Sequence, residues 1–443
     1  MSKYAIDTVL RFRLPHRPGQ LAKVSLVLAE EGVVVGEITT VKLGEGFSVR
    51  DITVETLDEA HTLKVIERAR HIDGIELIDV HDRVFDAHAG GKIHSTSRLE
   101  VKTIADLRTI YTPGVARVAR AIAAEPSRAW DLTTLGRSVA ICTNGTRVLG
   151  LGDIGVVASL PVMEGKAVLY DKFVGLSATP ILVDCTSPSE FVETVMRISK
   201  GFGAIHLEDI RVPDCFEIED QLKKRLQKPV MHDDQHGTAT AALAAILNAC
   251  KLTGIELKHA KLGQIGLGAA GSAIARLALT YGVGEVLVAD VFPESVARLV
   301  AFGARGVDFP TLMREADIVV ATTGRPGLIK PEMVRPRQVI FALSNPDPEI
   351  FPDDALAAGA AFAGDGRSIN NALAFPSLFR AALDLRAREI TSGMLLACAE
   401  SIAAQADPDE VVPSPLTPGV HEIVTKAVAD QARAEGLEGT ARI

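Results

Sequence analysis

Along the first eighty residues, the spacing of apolar positions switches between the period of a strand and the period of a helix. Residues 20–29 place Leu21, Val24 and Leu28 at helical spacing, and Gly44-Glu45-Gly46 indicates a turn between two strands. The predicted strands cover 4–13, 33–41, 47–56 and 75–80, and the predicted helices cover 20–29 and 58–70, with Asp58 as a helix N-cap. The order βαββαβ predicts a small α+β domain over residues 1–85.

The rest of the chain follows a different pattern. After a connection at about 84–98, helices and strands alternate up to about residue 382, which is typical of an α/β fold. Alanine-rich helical segments continue to the end, interrupted by the proline-rich stretch 408–418. Because 443 residues are too many for one core, several domains are expected.

Composition narrows the class of protein. A hydrophobic content of 47% with 23% charged residues is typical of a soluble globular chain, and a net charge of -9 argues against a nucleic-acid partner. The five cysteines are scattered, which disfavours a disulfide framework or a structural zinc site and favours the cytoplasm. The N-terminus has no signal-peptide core, and the longest apolar stretch, 239–247, is too short to span a membrane.

Two segments match the G-x-G-x-x-G pattern, and their contexts differ. The second match contains Gly266, Gly268, Ala270 and Gly271; it follows a predicted strand at 261–265 and precedes a helix at 272–281. A second strand at 285–289 ends at Asp290, at the distance expected for an acid that binds ribose hydroxyls. This context predicts a dinucleotide site rather than a mere tight turn, and Asp290 favours NAD over NADP.

The first match, residues 150–155, lacks that context. Pro161 and Gly165 are expected to break any helix behind it. The segment is therefore interpreted as a loop that brings backbone, with Asp153 or Arg147, close to a small substrate.

Two acidic pairs, Glu208-Asp209 and Asp233-Asp234, follow strand-like runs. In parallel sheets ligands bind at the carboxyl ends of strands, and adjacent carboxylates favour a cation, here Mg²⁺ or Mn²⁺. His232 and His236 leave zinc or iron open, although their spacing shares a face only on a helix and Gly237 argues against one. The alternative is two solvated loop pairs that never meet.

Lys166 and Tyr111 are candidates for proton transfer. Lys166 lies among apolar residues, and in an apolar site that also bears a cation a lysine loses its proton more easily and can act as a base; the alternative is a surface residue. Tyr111 precedes Pro113, which is placed to open a helix, so its phenol lies on a loop and can act as an acid or simply pack.

From about Leu99 to Ala387 the chain closely resembles the malic enzymes, in particular the short bacterial form. The matching stretches are YTPGVA, GTRVLGLGDIG, LPVMEGKAVLY, HLEDI, HDDQHGTA, GLGAAG, PGLIKPEMV, FALSNPDPEI and INNALAFP. The stretch RPGQLAKVSLVLAEEGVVVGEI resembles an ACT domain, a regulatory module that often binds amino acids, although a packing or dimerisation module without ligand is the alternative.

The resemblance implies a fold in several parts. It implies an ACT-like regulatory domain over 1–85, a malic enzyme N-terminal substrate and metal domain over 86–237, a Rossmann-like NAD-binding domain over 238–385 and C-terminal helices over 386–443. It also implies a homodimer or a higher homo-oligomer and a small effector at the ACT-like domain.

The resemblance also implies a reaction, the oxidative decarboxylation of (S)-malate to pyruvate and CO₂ with NAD. Tyr111 matches the general acid, Lys166 the base and Asp233 the carboxylate that tunes the lysine. The matching metal ligands are Glu208, Asp209 and Asp234, and the matching residues for malate or the nicotinamide end are Arg147, Asn345, Asn370 and Asn371. On an extended backbone, Asp233 and Asp234 would point in opposite directions, one to the base and one to the cation.

Three departures from the family pattern weaken parts of this assignment. The segment between Asp290 and Asp317 is shorter than in typical relatives, and only Ile369 separates the Gly-Arg-Ser stretch from Asn370. Arg147 stands where short bacterial relatives often have a small residue. Two alternatives therefore stay open: an enzyme for another 2-hydroxy acid on the same scaffold, and a catalytically silent metabolite sensor.

Overall fold

The computed structural model describes residues 6–148, 150–367 and 369–442, and the chain divides into two compact units, residues 1–94 and 95–443. The first unit contains β1 (Ile6–Pro15), α1 (Gln20–Glu30), β2 (Val34–Gly44), β3 (Phe47–Thr56), α2 (Glu59–Arg70), β4 (Glu76–Asp82) and α3 (Arg83–His88). The predicted order βαββαβ is confirmed, except that α3 lies within the expected connection. Residues 4 and 5 of the first predicted strand lie outside the described residues.

The first unit is an antiparallel sheet in the order β2-β3-β1-β4, with two helices supplying the rest of its core. Leu10, Phe12 and Ile52 are buried together with Val24 of α1 and Val65 of α2. As predicted, Asp58 caps α2, because its carboxylate accepts a hydrogen bond of 2.7 Å from the His61 backbone N–H.

The second unit begins with a four-stranded parallel sheet in the order β6-β5-β7-β8. Its elements are α4 (Ile104–Ile110), α5 (Val115–Ala124), α6 (Ala129–Leu132), β5 (Ser138–Thr143), α7 (Leu160–Val174), β6 (Ser177–Leu182), α8 (Pro188–Ile198), β7 (Ala204–Leu207), α9 (Asp214–Arg225), β8 (Val230–His232) and α10 (Asp233–Thr253). The strands β5, β7 and β8 consist entirely of buried residues, as expected for a parallel sheet covered on both faces.

A six-stranded parallel sheet follows, in the order β11-β10-β9-β12-β13-β14. Its elements are β9 (Lys261–Ile265), α11 (Ala269–Tyr281), β10 (Glu285–Ala289), α12 (Pro293–Val300), β11 (Arg305–Gly306), α13 (Phe309–Glu315), β12 (Ile318–Ala321), β13 (Val339–Ala342), α14 (Pro352–Ala357) and β14 (Phe362–Asp365). Numbered within the sheet, this is the order 3-2-1-4-5-6 of dinucleotide-binding folds. The chain ends with α15 (Phe375–Asp384), α16 (Ser392–Ala403) and α17 (Val420–Ala434).

Two predictions about helices are wrong. Residues 160–174 form α7, because Pro161 occupies its first turn, where a missing N–H costs nothing, and Gly165 is tolerated inside the helix. Likewise Gly237 lies within α10, a helix of 21 residues, 14 of them buried, whose packing outweighs the low helix propensity of one glycine.

The predicted domain boundaries within the second unit stay predictions. Residues 95–443 form one compact unit, and the boundary at 237/238 falls inside α10. Ile443, the last residue of the predicted C-terminal helices, lies outside the described residues. Among the described residues, no helix combines the length and the apolar character needed to cross a membrane.

Candidate active site

Four carboxylates meet at the carboxyl edge of the four-stranded sheet, where two neighbouring strands end. Glu208 and Asp209 follow β7, Asp233 and Asp234 follow β8, and these strands pair in parallel with Leu207 beside His232. The Asp209 backbone N–H donates to the Asp234 carboxylate at 2.9 Å, which ties the two acidic pairs together. The alternative of two solvated loop pairs is therefore excluded.

Asp209 has a backbone conformation that side chains rarely adopt. Its φ of 54° lies in the left-handed region, which is disfavoured for residues other than glycine, although aspartate tolerates it better than most. Such strained residues concentrate at functional sites, because the surrounding structure must hold them in place. Here the Arg147 N–H donates to the Asp209 carbonyl at 3.1 Å.

Glu208, Asp209 and Asp234 fit a divalent cation. Each offers an oxygen, and these atoms lie within 4.8 Å of one another. Burial raises the pKa of Glu208 to about 8, although Lys166 acts to lower it. The ionised form of Glu208 is therefore unfavourable unless a cation is present. An all-oxygen set of this kind suits Mg²⁺ or Mn²⁺.

Histidines lie close to the acidic cluster, and their contacts bear on the zinc or iron alternative. His206 groups with Glu208 and Asp233, but its Nδ1 lies 2.8 Å from the Tyr170 hydroxyl and its Nε2 lies 2.6 Å from Glu208, so both nitrogens are engaged. His236 turns to Glu219, with its Nε2 at 3.0 Å from that carboxylate. His232 is buried with its Nε2 3.4 Å from the Asp234 carboxylate, so the zinc or iron alternative stays a prediction.

Lys166 lies on α7 and is buried against the cluster. Its Nζ pairs with Asp233, lies 3.2 Å from Glu208 and sits 4.5 Å above the centre of the Phe375 ring. Burial alone would lower the pKa of Lys166, but Asp233 and Glu208 raise it above its ordinary value. The expectation of an easily lost proton was made for an apolar site that also holds a cation, so it stays a prediction.

Asp233 is the centre of the cluster and is fully buried. Its Oδ2 accepts hydrogen bonds from Lys166 and from the Asn371 side chain, the latter at 2.8 Å. Among the described residues its Oδ1 has no hydrogen-bond partner; it lies against Gly237, where an added Cβ would come within 1.8 Å of it. Burial raises the pKa of Asp233 to about 6, and Lys166 opposes this shift.

The proposed opposite directions of Asp233 and Asp234 on an extended backbone are also wrong. Both residues belong to the first turn of α10, where successive side chains diverge by roughly 100°. This angle is enough for Asp233 to reach Lys166 while Asp234 reaches the backbone of Asp209. Asp233 therefore faces the lysine and Asp234 faces the predicted metal ligands, as expected, but on a helix rather than on an extended backbone.

A cavity of about 360 Å³ adjoins the cluster. It is lined by Thr238, Leu343, Asn345, Gly366, Arg367, Ile369, Asn370 and Asn371. Asn371 belongs both to this cavity and to the Asp233 cluster, so a ligand in the cavity lies next to the charged groups. The Asn370 side chain accepts from the Ala372 N–H at 2.9 Å, which leaves its amide group for other contacts.

The first glycine motif reaches the same place, but Arg147 does not line the cavity. A Cβ on Gly150 would lie 3.1 Å from the carbonyl oxygen of Asn345, so close approach of the two backbones requires a small residue there. The Arg147 side chain is exposed, and only its backbone contacts the cluster, through Asp209. Its role in substrate binding stays a prediction.

The second glycine motif has the geometry of a nucleotide loop. The predicted strands 261–265 and 285–289 are confirmed, and α11 begins at Ala269, earlier than expected. Gly266 has a φ of 82°, and a Cβ on Gly271 would lie 1.9 Å from the Gly266 oxygen. Asp290 accepts hydrogen bonds from Leu267 at 2.5 Å and from Phe292 at 2.9 Å, so its carboxylate also braces the loop.

Tyr111, like the side chain of Arg147, is a predicted site group that the structure leaves exposed. It ends α4, its side chain is 66% exposed, and within the described residues its hydroxyl makes no hydrogen bond. A role as general acid stays a prediction from the resemblance.

Several residues of the site were missed from the sequence. His206 lies on β7 two residues before Glu208, a spacing that places side chains on one face of an extended chain, and Tyr170 lies one helical turn after Lys166 on α7. The first signal was present in HLEDI; the second was lost because α7 was not predicted. Arg367 and Thr238 carried no distinguishing pattern.

Comparisons with known proteins agree with this geometry. The profile described as the malic enzyme N-terminal domain matches residues 91–223, and that of the malic enzyme NAD-binding domain matches residues 364–433. Between them, residues 233–325 match the NAD-binding domain of D-isomer-specific 2-hydroxyacid dehydrogenases.

Whole-chain relatives are consistent with these matches. NAD-dependent malic enzyme 1 of Bacillus subtilis (strain 168) is 50% identical over 98% of this chain and 99% of its own. The crystal structure of malic enzyme from Pyrococcus horikoshii Ot3 has a TM-score of 0.75 at 37% identity, covering 80% of this chain and 89% of that chain. The crystal structure of NAD-dependent malic enzyme from Thermotoga maritima has a TM-score of 0.74 at 36% sequence identity, and the match covers 79% of this chain and 99% of that chain.

Proposed function

Since the chain belongs to the malic enzyme family, we propose that it oxidatively decarboxylates (S)-malate to pyruvate and CO₂ while reducing NAD⁺, with Mg²⁺ or Mn²⁺. The observation that carries this proposal is the buried group of Lys166, Asp233 and Glu208, tied to Asp209 and Asp234 and adjoining a cavity that ends in paired asparagines.

The cation would be held by Glu208, Asp209 and Asp234, and NAD⁺ by the Gly266–Gly271 loop. When bound, the two supply a positive charge that polarises the C2 hydroxyl of malate and an acceptor for the C2 hydride. A nearby cation also lowers the pKa of Lys166, which Asp233 and Glu208 otherwise raise.

Proton transfers fall to residues of the chain itself. Lys166 accepts the hydroxyl proton, and Asp233 holds its amine and stabilises the ammonium that results. Asn371 holds the same Asp233 oxygen and so fixes the carboxylate while the lysine changes charge. Tyr111 is assigned the delivery of a proton to C3, which completes pyruvate.

The test is a spectrophotometric assay of NADH formation from malate with Mn²⁺, compared with NADP⁺ and with tartrate as an alternative substrate. We expect malate and NAD⁺ to give the highest kcat/KM, and Lys166→Ala to lower kcat by about 10² or more, the contribution of a general base. Absence of malate-dependent turnover with either metal and either cofactor would leave the silent sensor as the better account.

An enzyme for another 2-hydroxy acid is the second candidate. The short loop before Asn370 favours it, because Asn370 lines the cavity beside the acidic cluster. Higher kcat/KM for tartrate or another 2-hydroxy acid than for malate would establish it.

We further propose that the protein is a homodimer or larger homo-oligomer built on α4 and α5. These helices have 7 and 10 residues and bury none of them, although Ile104, Leu107, Ile110, Val115 and Val118 repeat at helical spacing. Helices this short need packing to persist in water, and a second copy supplies it. Light scattering should show an oligomer that Leu107→Glu dissociates; a monomeric parent would contradict the proposal.

For residues 1–85, which lie within the first unit, we propose an ACT-like regulatory role with a small effector, supported by their βαββαβ order. Kinetics measured with each of the common amino acids test it, and a shift in KM for malate is expected with at least one.

A further inference from the structure

A line of buried polar groups lies directly behind Glu208. The Tyr170 hydroxyl is 2.8 Å from His206 Nδ1, and His206 Nε2 is 2.6 Å from Glu208 Oε2. Tyr170 and His206 are completely buried, and Glu208 is nearly so. Polar groups placed this deep are costly unless each contact is made, so the three side chains constrain one another.

The direction of each hydrogen bond follows from the groups themselves. Glu208 is ionised when it binds a cation, and an ionised carboxylate can only accept, so His206 then donates from Nε2 to Glu208. A neutral imidazole has one donor and one acceptor, so Nδ1 accepts from the Tyr170 hydroxyl. Tyr170 therefore fixes which nitrogen of His206 carries the proton, and His206 fixes which oxygen of Glu208 is held.

The surrounding rings prevent this histidine from turning. His206 stacks on Phe379 with ring centres 5.5 Å apart and 24° between planes, and it meets Phe375 edge-on at 5.4 Å. Tyr170 also packs edge-on against Phe375 and Phe379. Because Phe375 and Phe379 contact the His206 ring from two sides, its Nε2 stays directed at Glu208.

We propose that His206, set by Tyr170, is a positioning residue that orients Glu208 for a divalent cation. The proposal rests on the proposed function, because it needs Glu208 to be a metal ligand. With Oε2 held by His206 and Oε1 at 3.2 Å from Lys166, the carboxylate cannot rotate freely. Its orientation toward Asp209 and Asp234 is then set before the ion arrives.

Two substitutions at His206 separate the two hydrogen bonds. His206→Gln places an amide near the former Nε2 and keeps a donor for Glu208. His206→Asn places its amide near the former Nδ1; it keeps an acceptor for Tyr170 and leaves Glu208 without a donor. The Mn²⁺ dissociation constant, measured from the electron paramagnetic resonance signal of free Mn²⁺, is compared among them.

We expect His206→Asn to weaken Mn²⁺ binding by about tenfold to a hundredfold, the usual effect of losing a partner that orients a ligand. His206→Gln should stay within about threefold of the parent. For His206→Asn the KM for Mn²⁺ should rise, while kcat at saturating Mn²⁺ largely recovers. Equal dissociation constants for the parent and both variants would overturn the proposal.

Controls separate positioning from loss of packing. His421 is also a buried histidine, stacked on Phe173 at 4.3 Å and bonded to the Pro415 carbonyl, so His421→Asn should lower the melting temperature without changing Mn²⁺ affinity. If His206→Asn does not fold, Tyr170→Phe decides the question: it keeps the ring, frees His206 and should weaken Mn²⁺ binding severalfold, and unchanged affinity overturns the proposal.

Two further variants distinguish an error in the proposed metal site from an error in the positioning role of His206. If Glu208→Gln and Asp234→Asn leave Mn²⁺ binding unchanged, the proposed metal site is wrong, and the role of His206 falls with it. If those two variants lose binding while His206→Asn and Tyr170→Phe retain it, only the positioning role is wrong.

Discussion

Asp233 lies between Lys166, with which it forms an ion pair, and Gly237, whose missing side chain leaves space for the carboxylate. Lys166 and Asn371 hold one carboxylate oxygen, and the other faces Gly237. Since Lys166 and Asn371 are both bonded to the same oxygen, a displacement of Asp233 changes its contact with Lys166. The site therefore depends on a residue with no functional group of its own.

Gly237→Ala tests this dependence. The new Cβ would lie 1.8 Å from Asp233 Oδ1, so the carboxylate must move away from Lys166. We expect kcat for malate to fall by about 10², the effect of misplacing a catalytic group by about an ångström. Far-ultraviolet circular dichroism should show the helix retained, because alanine is the better helix former.

Gly201→Ala is the matched control, because a Cβ there meets nothing within 4 Å. It should leave kcat unchanged. A Gly237→Ala enzyme with parental kcat would show that Asp233 tolerates displacement.

A second prediction concerns Lys228, which is buried and donates to the carbonyls of Ser199 and Phe202, each at 2.8 Å. Burial lowers the pKa of Lys228 to about 8 in the folded state, below its ordinary value of 10.5. Between about pH 8 and pH 10.5 the unfolded chain binds more protons at this lysine than the folded chain does. The free energy of unfolding therefore rises with pH over this range, and the contribution of Lys228 is lost as the pH falls through about 8.

The measurement is the melting temperature of the parent relative to Lys228→Met at pH 7.5 and pH 10. The parent should gain a few degrees over the variant between these values, since other titrating groups cancel in the difference. An unchanged difference would contradict the lowered pKa.

At the scale of elements, the start of α10 is held from α9. Glu219 accepts from the His232 N–H at 3.0 Å, from Gln235 at 3.1 Å and from His236 at 3.0 Å, and Lys223 lies 2.8 Å away. Although burial favours its neutral form, His236 and Lys223 hold the pKa of Glu219 well below its ordinary value. One carboxylate thus fixes the turn that carries Asp233 and Asp234.

Glu219→Gln should destabilise the second unit by about 2 kcal/mol or more, because a buried charged acceptor with several donors is replaced by a neutral amide. The midpoint of urea unfolding measures the loss. Glu217→Gln on the exposed side of the same helix is the control and should leave the midpoint unchanged. Equal midpoints for the two variants would mean that α10 does not need this brace.

The elements that could be predicted are those with strong periodicity. The strands 261–265 and 285–289 and the sequence βαββαβ were predictable because alternation and turn residues mark them. The helix α7 was missed at Pro161 and Gly165, and the first turn of α10 was missed at Gly237, because residue propensity was given more weight than packing, which decides when a helix is mostly buried.

Within the site, sequence reasoning found the acidic residues but not their geometry. Glu208, Asp209, Asp233 and Asp234 were predicted to meet, since the strands before them end at one edge of a sheet. The raised pKa of Lys166 depends on carboxylates 42 and 67 positions away in the sequence, whose distances only a structure supplies. The exposed position of Tyr111 had no sequence signal.

At the scale of the whole molecule, the second unit brings the edges of two parallel sheets together. Asn345 and Asn370 follow β13 and β14 of the six-stranded sheet, and Asn371 contacts Asp233 beside the four-stranded one. The acid cluster, the cavity and the glycine loop are thus all contained in residues 95–443. The first unit contributes none of the predicted site residues.

A protein lacking residues 1–94 should therefore keep kcat for malate within about twofold of the parent, an outcome that assumes only that tight packing within the second unit maintains the site. Steady-state assays of both proteins, with and without each amino acid, make the comparison. Any amino acid that shifts the KM of the parent should leave the shortened protein unaffected. Identical responses of the two would remove the regulatory role proposed for the first unit.

The position of Asp233 and Asp234 in the first turn of α10 has a consequence for the electrostatics of the cluster. The aligned peptide dipoles of a helix leave about half a positive charge at its amino end. The positive end of α10, a helix of 21 residues, therefore lies at Asp233 and Asp234. Part of their neutralisation is supplied by the backbone, so it persists when ions exchange and no side-chain substitution can delete it.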